Sequence, residues 1–497
     1  MSLRDEIKRE LSKSHSISDI KGNLLKRGYL EEDIDNVLSE FIESKSAEHS
    51  KNNLILSLKE LSDRIGYGFS SQQFINILFM FSGASLFLIG LINSFKTAFI
   101  SLLSGVLSEL KKVKNISKNI ISTSGITYGF SFLGMTFAVI IKSPILFAIS
   151  LLIGSLGIIA HGDLFVEYSK SLLKQEKRSG FLKLISYFGI IITSISLIIA
   201  GFIMEFFPIN GMLINLGFLG FPNLQFKIFG YLLIFEMTAI IFIISGYFLS
   251  LLKDTEEVFT HDMHFLHFLK HYFSESVSSY KVFSKNKKVY LLMIASVSTI
   301  VLQVIGNSYY GIFIYERFKN QFLGGFLNVA IVFVVALLAS LVGGIFTKSF
   351  SKSLGEAPML VFGTLLIALM PFTLFYNPKI YAIIIAAALS IVGATIVGIA
   401  QGLLAERLLL ESEMRTFFSS LGFVSIIPVI AIGTLGAVIA QSLGLQQLFL
   451  YIGIALSCIV MPIYFIIVLI LELEYRHEKS KKTNSYNNIK EALLKQN

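Results

Sequence analysis

A single cysteine, Cys458, stands in the 497-residue sequence, which excludes an intrachain disulfide and any thiolate cluster for a metal. Charge is also scarce: 15% of residues are Asp, Glu, Lys or Arg and 54% are hydrophobic, whereas a soluble chain is about a quarter charged. No H-E-x-x-H, G-x-S-x-G, phosphate loop or acid cluster is present, which argues against an enzyme, a cofactor, a metal centre and an ATP-driven pump. The opening segment MSLRDEIKRELSKSHS lacks an apolar run, so it is not read as a cleavable signal. The net charge of +9 does not point to nucleic acid, because Lys and Arg lie in short connectors between apolar runs.

Those runs dominate the chain, and about 20 apolar residues cross a bilayer core as a helix. The expected spans are about 74–93, 97–110, 119–141, 144–165, 181–206 and 227–252, then 289–314, 321–347, 357–376, 380–405, 416–440 and 446–471. One long helix over 74–110 is the alternative, giving eleven. With a cytoplasmic start, twelve spans place Lys111, Lys112, Lys114 and Lys118 and also Lys170, Lys174, Lys177 and Arg178 on the inner side, whereas eleven would place both groups outside, so the positive-inside rule favours twelve. The fold class is therefore an all-α integral membrane protein of two six-helix lobes, surrounded by membrane lipids. Both termini are expected on the cytoplasmic side of the cytoplasmic membrane.

The remaining segments are polar. Residues 1–48 form a small helical cytosolic module with Gly28 as a helix stop, and LLKRGYLEEDIDNVL resembles the turn between helices of small UBA-like bundles. A linker at Ser44–Asn53 and a surface helix at Leu54–Ile65 precede the first lobe, which with that helix covers 54–252. A cytoplasmic amphipathic joint covers 253–288, with His261, His264, His267 and His271 within an arc of about 120°. The spacing would let three imidazoles share a metal, yet no further ligand completes a site, so a solvated face is the reading. The second lobe covers 289–474 and a basic cytosolic tail 475–497.

Two segments at matching places in the halves carry a further likeness. Gly105-Val-Leu-Ser-Glu109-Leu-Lys-Lys112-Val-Lys114 and Gly344-Ile-Phe-Thr-Lys348-Ser-Phe-Ser-Lys352 each keep a leading Gly and basic residues at the membrane edge. With the 6+6 layout and the long central joint, the chain resembles the major facilitator superfamily, whose motif G-x-x-x-D-R-x-G-R-K lies between the second and third spans of each half. Neither segment keeps the internal Gly, and only the first keeps an acid. The resemblance implies secondary transport of a small solute by alternating access, with Gly105, Glu109, Lys112, Gly344 and Lys348 at a cytoplasmic gate.

Charged groups at membrane depth need a partner or a watered cavity. If protons drive transport, Glu236, Asp163 and His161 are the coupling groups in that order. Asn93, Gln303, Asn307, Tyr310 and Gln401 are the candidate solute contacts, Gln303 and Asn307 being four residues apart on one helical face. The rival reading is a non-transporting receptor or scaffold whose N-terminal module recruits a protein partner.

Overall fold

The computed structural model describes residue 7 and residues 17–113, 118–172, 175–207, 211–215, 225–252, 265–376 and 379–474. The joint residues 253–264, with His261 and His264, and the tail 475–497 lie outside the described residues. α1 (Ile17–Lys26) stops at Gly28, whose φ of +88° suits a residue without Cβ. α2 (Glu31–Phe69) folds back on it, burying Ile20, Leu24, Ile34 and Leu38 with Ile7. It then runs on through 44–53 without a linker.

The end of α2 lies inside the bundle, against the helices that become α7 and α8. Gly66 and Gly68 permit this: a Cβ on the first would lie 2.7 Å from the Phe242 ring, and on the second 2.7 Å from Thr193 O. At Ser70 the helix breaks, with both the Ser70 amide and its hydroxyl on Gly66 O. After the break comes the short α3 (Gln72–Phe81). The first lobe continues with α4 (Leu86–Val113), α5 (Lys118–Ile140), α6 (Pro144–Leu172), α7 (Gln175–Phe206) and α8 (Gly230–Ser250). Between α7 and α8, β1 (Met212–Asn215) and β2 (Gln225–Ile228) pair antiparallel, Met212 opposite Ile228. α9 (Phe265–Phe283) belongs to the joint. The second lobe holds α10 (Lys287–Phe318), α11 (Gly325–Leu354), α12 (Glu356–Tyr376), α13 (Ile380–Leu408), α14 (Glu411–Ser442) and α15, from Leu445 to Glu474 with a π-helical turn at Leu456–Val460.

The front of the first lobe corrects three expectations. The first two spans do not divide near Lys96; they divide at Ser82–Ser85, and Lys96 lies inside α4. A single helix over 74–110 fails at Gly83, where φ is +95°. Leu54–Ile65 is not a surface helix, since Lys59 and Asp63 are 1% and 2% exposed. Ion pairing inside the bundle offsets charge that hydropathy reads as solvated. Eleven helices among the described residues are long and apolar enough to cross a membrane, and the shorter apolar helix α3 continues from the end of α2. This is a multi-pass, all-α membrane fold.

Two long contacts join the lobes: α4 lies along α14 and α7 along α11. Each pairs the second helix of one lobe with the fifth of the other, which is the pattern a two-fold exchange of lobes produces. Small residues set these contacts, Gly90 beside Ala437 and Gly201 beside Ala330. Inside the first lobe, α5 meets α6 and α8 through Gly157, Gly129 and Gly246. A Cβ on each would stand 2.7 Å from the carbonyl oxygens of Ser124, Ala239 and Ser122, respectively.

Gly129→Val is expected to destabilise the protein by about 1–3 kcal/mol through overpacking, read as a lower thermal unfolding midpoint in detergent. Gly344→Val, at a glycine with nothing within 4 Å of a built Cβ, is expected to leave the midpoint unchanged. Equal losses would contradict the close helix contact at Gly129.

Candidate functional site

The two ends of the bundle are named here for the β1–β2 hairpin and for the joint. Toward the joint end of the first lobe, one turn of α2 places Lys59 and Asp63 four residues apart. Lys59 Nζ lies 2.8 Å from Asp63 Oδ2 and 3.2 Å from the centroid of the Phe165 ring. From α6, His161 Nε2 approaches both Asp63 oxygens, at 3.1 and 3.0 Å. From α8, the Ser245 hydroxyl donates to Asp63 Oδ1. Glu60 and Arg64 form a second i, i+4 pair at 3.6 Å on the same turns, with Glu60 3.5 Å from Lys59.

His161 is fully buried, and its Nδ1 lies 3.2 Å from Ile121 O. Both ring nitrogens therefore face oxygen acceptors, an arrangement that both N–H groups of an imidazolium satisfy and a single neutral tautomer does not. The sequence places His161 among its candidates but does not supply its partner, because its carboxylate comes from the stretch read as a surface helix. The signal was present: KELSDR carries two i, i+4 pairs of opposite charge immediately before Gly66 and Gly68.

The other candidates are dispersed. Glu236 is exposed on the outer side of α8, beside Met237 and Ile240. Asp163 lies on α6, and Glu109 and Lys112 lie on α4, with side chains outside the described residues. Gly105 is covered by Tyr272 of α9, whose ring meets Val106 and Phe423 and so bridges α4 and α14 at the joint end. Gly344 faces open space and Lys348 is exposed. His271 is exposed, 3.6 Å from Glu275.

Gln303, Asn307 and Tyr310 do come together. With Ser390 they form the polar part of a cavity of about 120 Å³ in the second lobe, otherwise lined by apolar groups such as Phe333 and Met370. Asn93 lies apart from that lining, bonded through its Nδ2 to Asn76 Oδ1 at 3.0 Å. Gln401 Nε2 donates to Tyr464 Oη at 2.6 Å and ties α13 to α15.

At the hairpin end the lobes are bonded to each other. Asn76 Nδ2 reaches Asn307 O and Ser308 O at 3.1 and 3.0 Å, and Gly311 N donates to Gln73 Oε1 at 2.9 Å. Tyr309 Oη donates to Leu86 O at 2.9 Å. Glu205, at the end of α7, accepts from Phe326 N at 2.8 Å at the start of α11, where a carboxylate also suits the helix dipole. Phe81 and Tyr231 of the first lobe pack on Tyr315 and Phe326 of the second.

Two six-helix lobes, the second helix of each lying along the fifth of the other and the two bonded together at one end, make a fold that this chain shares with solved membrane transporters. The nucleoside transporter NupG shares it at a TM-score of 0.60 and 13% identity, over 84% of this chain and 99% of that one. A bacterial homologue of the iron transporter ferroportin in an inward-facing state matches at 0.58 and 16%, over 85% and 98%. A structure of proton dependent oligopeptide transporters matches at 0.54 and 13%, over 84% and 100%. No family model matches the sequence, and no curated protein does.

Asp63→Ala removes the carboxylate between Lys59 and His161 and is expected to cost about 3–5 kcal/mol, as for other broken buried pairs. Replacing all three together, as Lys59→Met, Asp63→Leu and His161→Leu, is expected to recover most of that loss in thermal unfolding. A triple variant no more stable than Asp63→Ala would count against charge pairing as the cause. At the hairpin end, Glu205→Ala is expected to raise the alkylation rate of a cysteine placed at the 3%-exposed Ser308 in a Cys458→Ser background. An unchanged rate would remove Glu205 from the closure.

Proposed function

We propose that the protein is a secondary active transporter that carries a small solute across the cytoplasmic membrane by alternating access. The observation that carries this reading is the asymmetry of the lobe contacts. Polar and aromatic contacts tie the lobes at the hairpin end, and a cavity lined by Gln303, Asn307 and Tyr310 lies beside them. The joint and both termini face the cytoplasm, in keeping with the basic residues of that end. Residues 1–48 are a cytosolic appendage and 475–497 a cytosolic tail. The segments at Gly105, Glu109, Lys112, Gly344 and Lys348 form the inner gate, with α9 laid across α4 and α14. The receptor or scaffold reading draws no support from this arrangement.

Proton movement is the proposed drive, and His161 with Asp63 is the coupling pair. A proton on the imidazole keeps α6 bonded to both α2 and α5, and its release frees one bond, so protonation biases how the first lobe is held together. A neighbour in fold is a proton dependent oligopeptide transporter, which is consistent with this drive. Asp163, on the same helix, is a secondary candidate. Glu236, facing outward, is placed last.

In proteoliposomes with an imposed pH gradient, the wild type is expected to accumulate a member of a solute panel. His161→Gln and Asp63→Asn are expected to lower gradient-driven accumulation by about tenfold, the usual size of coupling between two sites, while sparing solute exchange without a gradient. Glu236→Gln is expected to match the wild type. Loss of drive in Glu236→Gln alone would move the coupling site to α8, and absence of flux for every solute would refute transport.

A further inference from the structure

Lys96 lies midway along the apolar stretch Leu86–Leu107 of α4. Its ammonium bonds to Gln72 Oε1, the one polar partner it has among the described residues, and none of their carboxylates is within ion-pair distance. An ammonium has three N–H groups, so two of them lack a protein acceptor. A cation at that depth without a counter-charge costs several kcal/mol. Asp63 is neutralised at its own site, whereas Lys96 is held only by an amide.

The amides around Lys96 are already engaged. Gln72 Nε2 donates to Asn76 Oδ1 and Asn93 Oδ1 at 2.7 and 3.1 Å, and Asn76 crosses to the Asn307 and Ser308 carbonyls of α10. The lysine therefore stands where α3, α4 and α10 meet, joined by this chain of amides to the backbone of Asn307. The Asn307 side chain is exposed and lines the second-lobe cavity with Gln303, Tyr310 and Ser390, and that lining contains no acidic residue.

We propose that this junction binds an organic anion, with a carboxylate of the solute on Lys96 Nζ and its polar body against Asn307 and Gln303. The anion satisfies the idle N–H groups and supplies the missing charge, and the neutral amides of α10 add hydrogen bonds without repelling it. The inference rests on the transport reading in one respect: the bound anion is the carried solute. It gives Lys96 the role of selecting charge and leaves proton coupling to Asp63 and His161.

The test uses the purified full-length protein and matched probes at equal ionic strength: lactate, succinate and dialanine, each beside its amide. At least one acid is expected to raise the thermal unfolding midpoint while its amide does not. Lys96→Met is expected to weaken that acid by about tenfold or more, the scale of a charge-assisted hydrogen bond, and Lys96→Arg to retain most of the shift. Acid and amide protecting alike, Lys96→Met binding as the wild type does, or no acid protecting at all would each overturn the proposal. Flux separates this proposal from the transport reading. Lys96-dependent binding without movement in proteoliposomes keeps the anion site and refutes transport. Flux of a neutral solute that Lys96→Met leaves unchanged keeps transport and refutes the anion site.

Discussion

A carboxylate withdrawn from water into a helical bundle must find its counter-charge there, and Asp63 finds two basic side chains and a hydroxyl. The course of the first crossing depends on that requirement. α2 carries Lys59, Asp63, Glu60 and Arg64 into the lobe only because α6 brings His161 and α8 brings Ser245 to the same point. Gly66 and Gly68 let the helix close on its neighbours just beyond it. Without these partners the segment would incur the full desolvation cost of its charges and would belong at the surface.

The rest of the bundle packs on a different footing. Lipid tails are as apolar as the helices, so association depends on close approach of small residues and on polar contacts between helices. The contacts of Gly129, Gly157 and Gly246 hold one lobe together, and those of Gly90 and Gly201 hold one lobe to the other. Glycine thus fixes where helices touch. Asn76, Gln73, Tyr309 and Glu205 then close the lobes at one end. Such bonds separate more readily than a continuous apolar interface, because water offers each group an alternative partner. Tyr272 over Gly105 gives the joint a hold on both α4 and α14, so the long connector is part of the lobe interface as well as a tether.

Lys96 and Asp63 show how differently two buried charges can be treated in one lobe. Asp63 is surrounded by Lys59, His161 and Ser245, which supply its counter-charge and its hydrogen bonds. Lys96 is left with donors to spare at the meeting of the lobes, the arrangement expected of a group reserved for a ligand.

Composition and hydropathy alone determined the membrane class and its all-helical make-up, because a bilayer requires long apolar helices and charge stays in the connectors. The periodicity also identified the turn at Gly28 and the shared face of Gln303 and Asn307, since both are local. Where the first crossing lies, and what His161 pairs with, was settled only in three dimensions. Lys59 and Asp63 look solvated in any one-dimensional reading, since their neutralising contacts come from residues such as His161, about a hundred positions away. Lys96 was similarly mistaken for the edge of a span, and Glu236 for a buried acid, because hydropathy measures depth along a helix but not which face meets lipid, protein or cavity. Only the packing of α2 against α7 and α8, and of α4 against α14, assigns those faces.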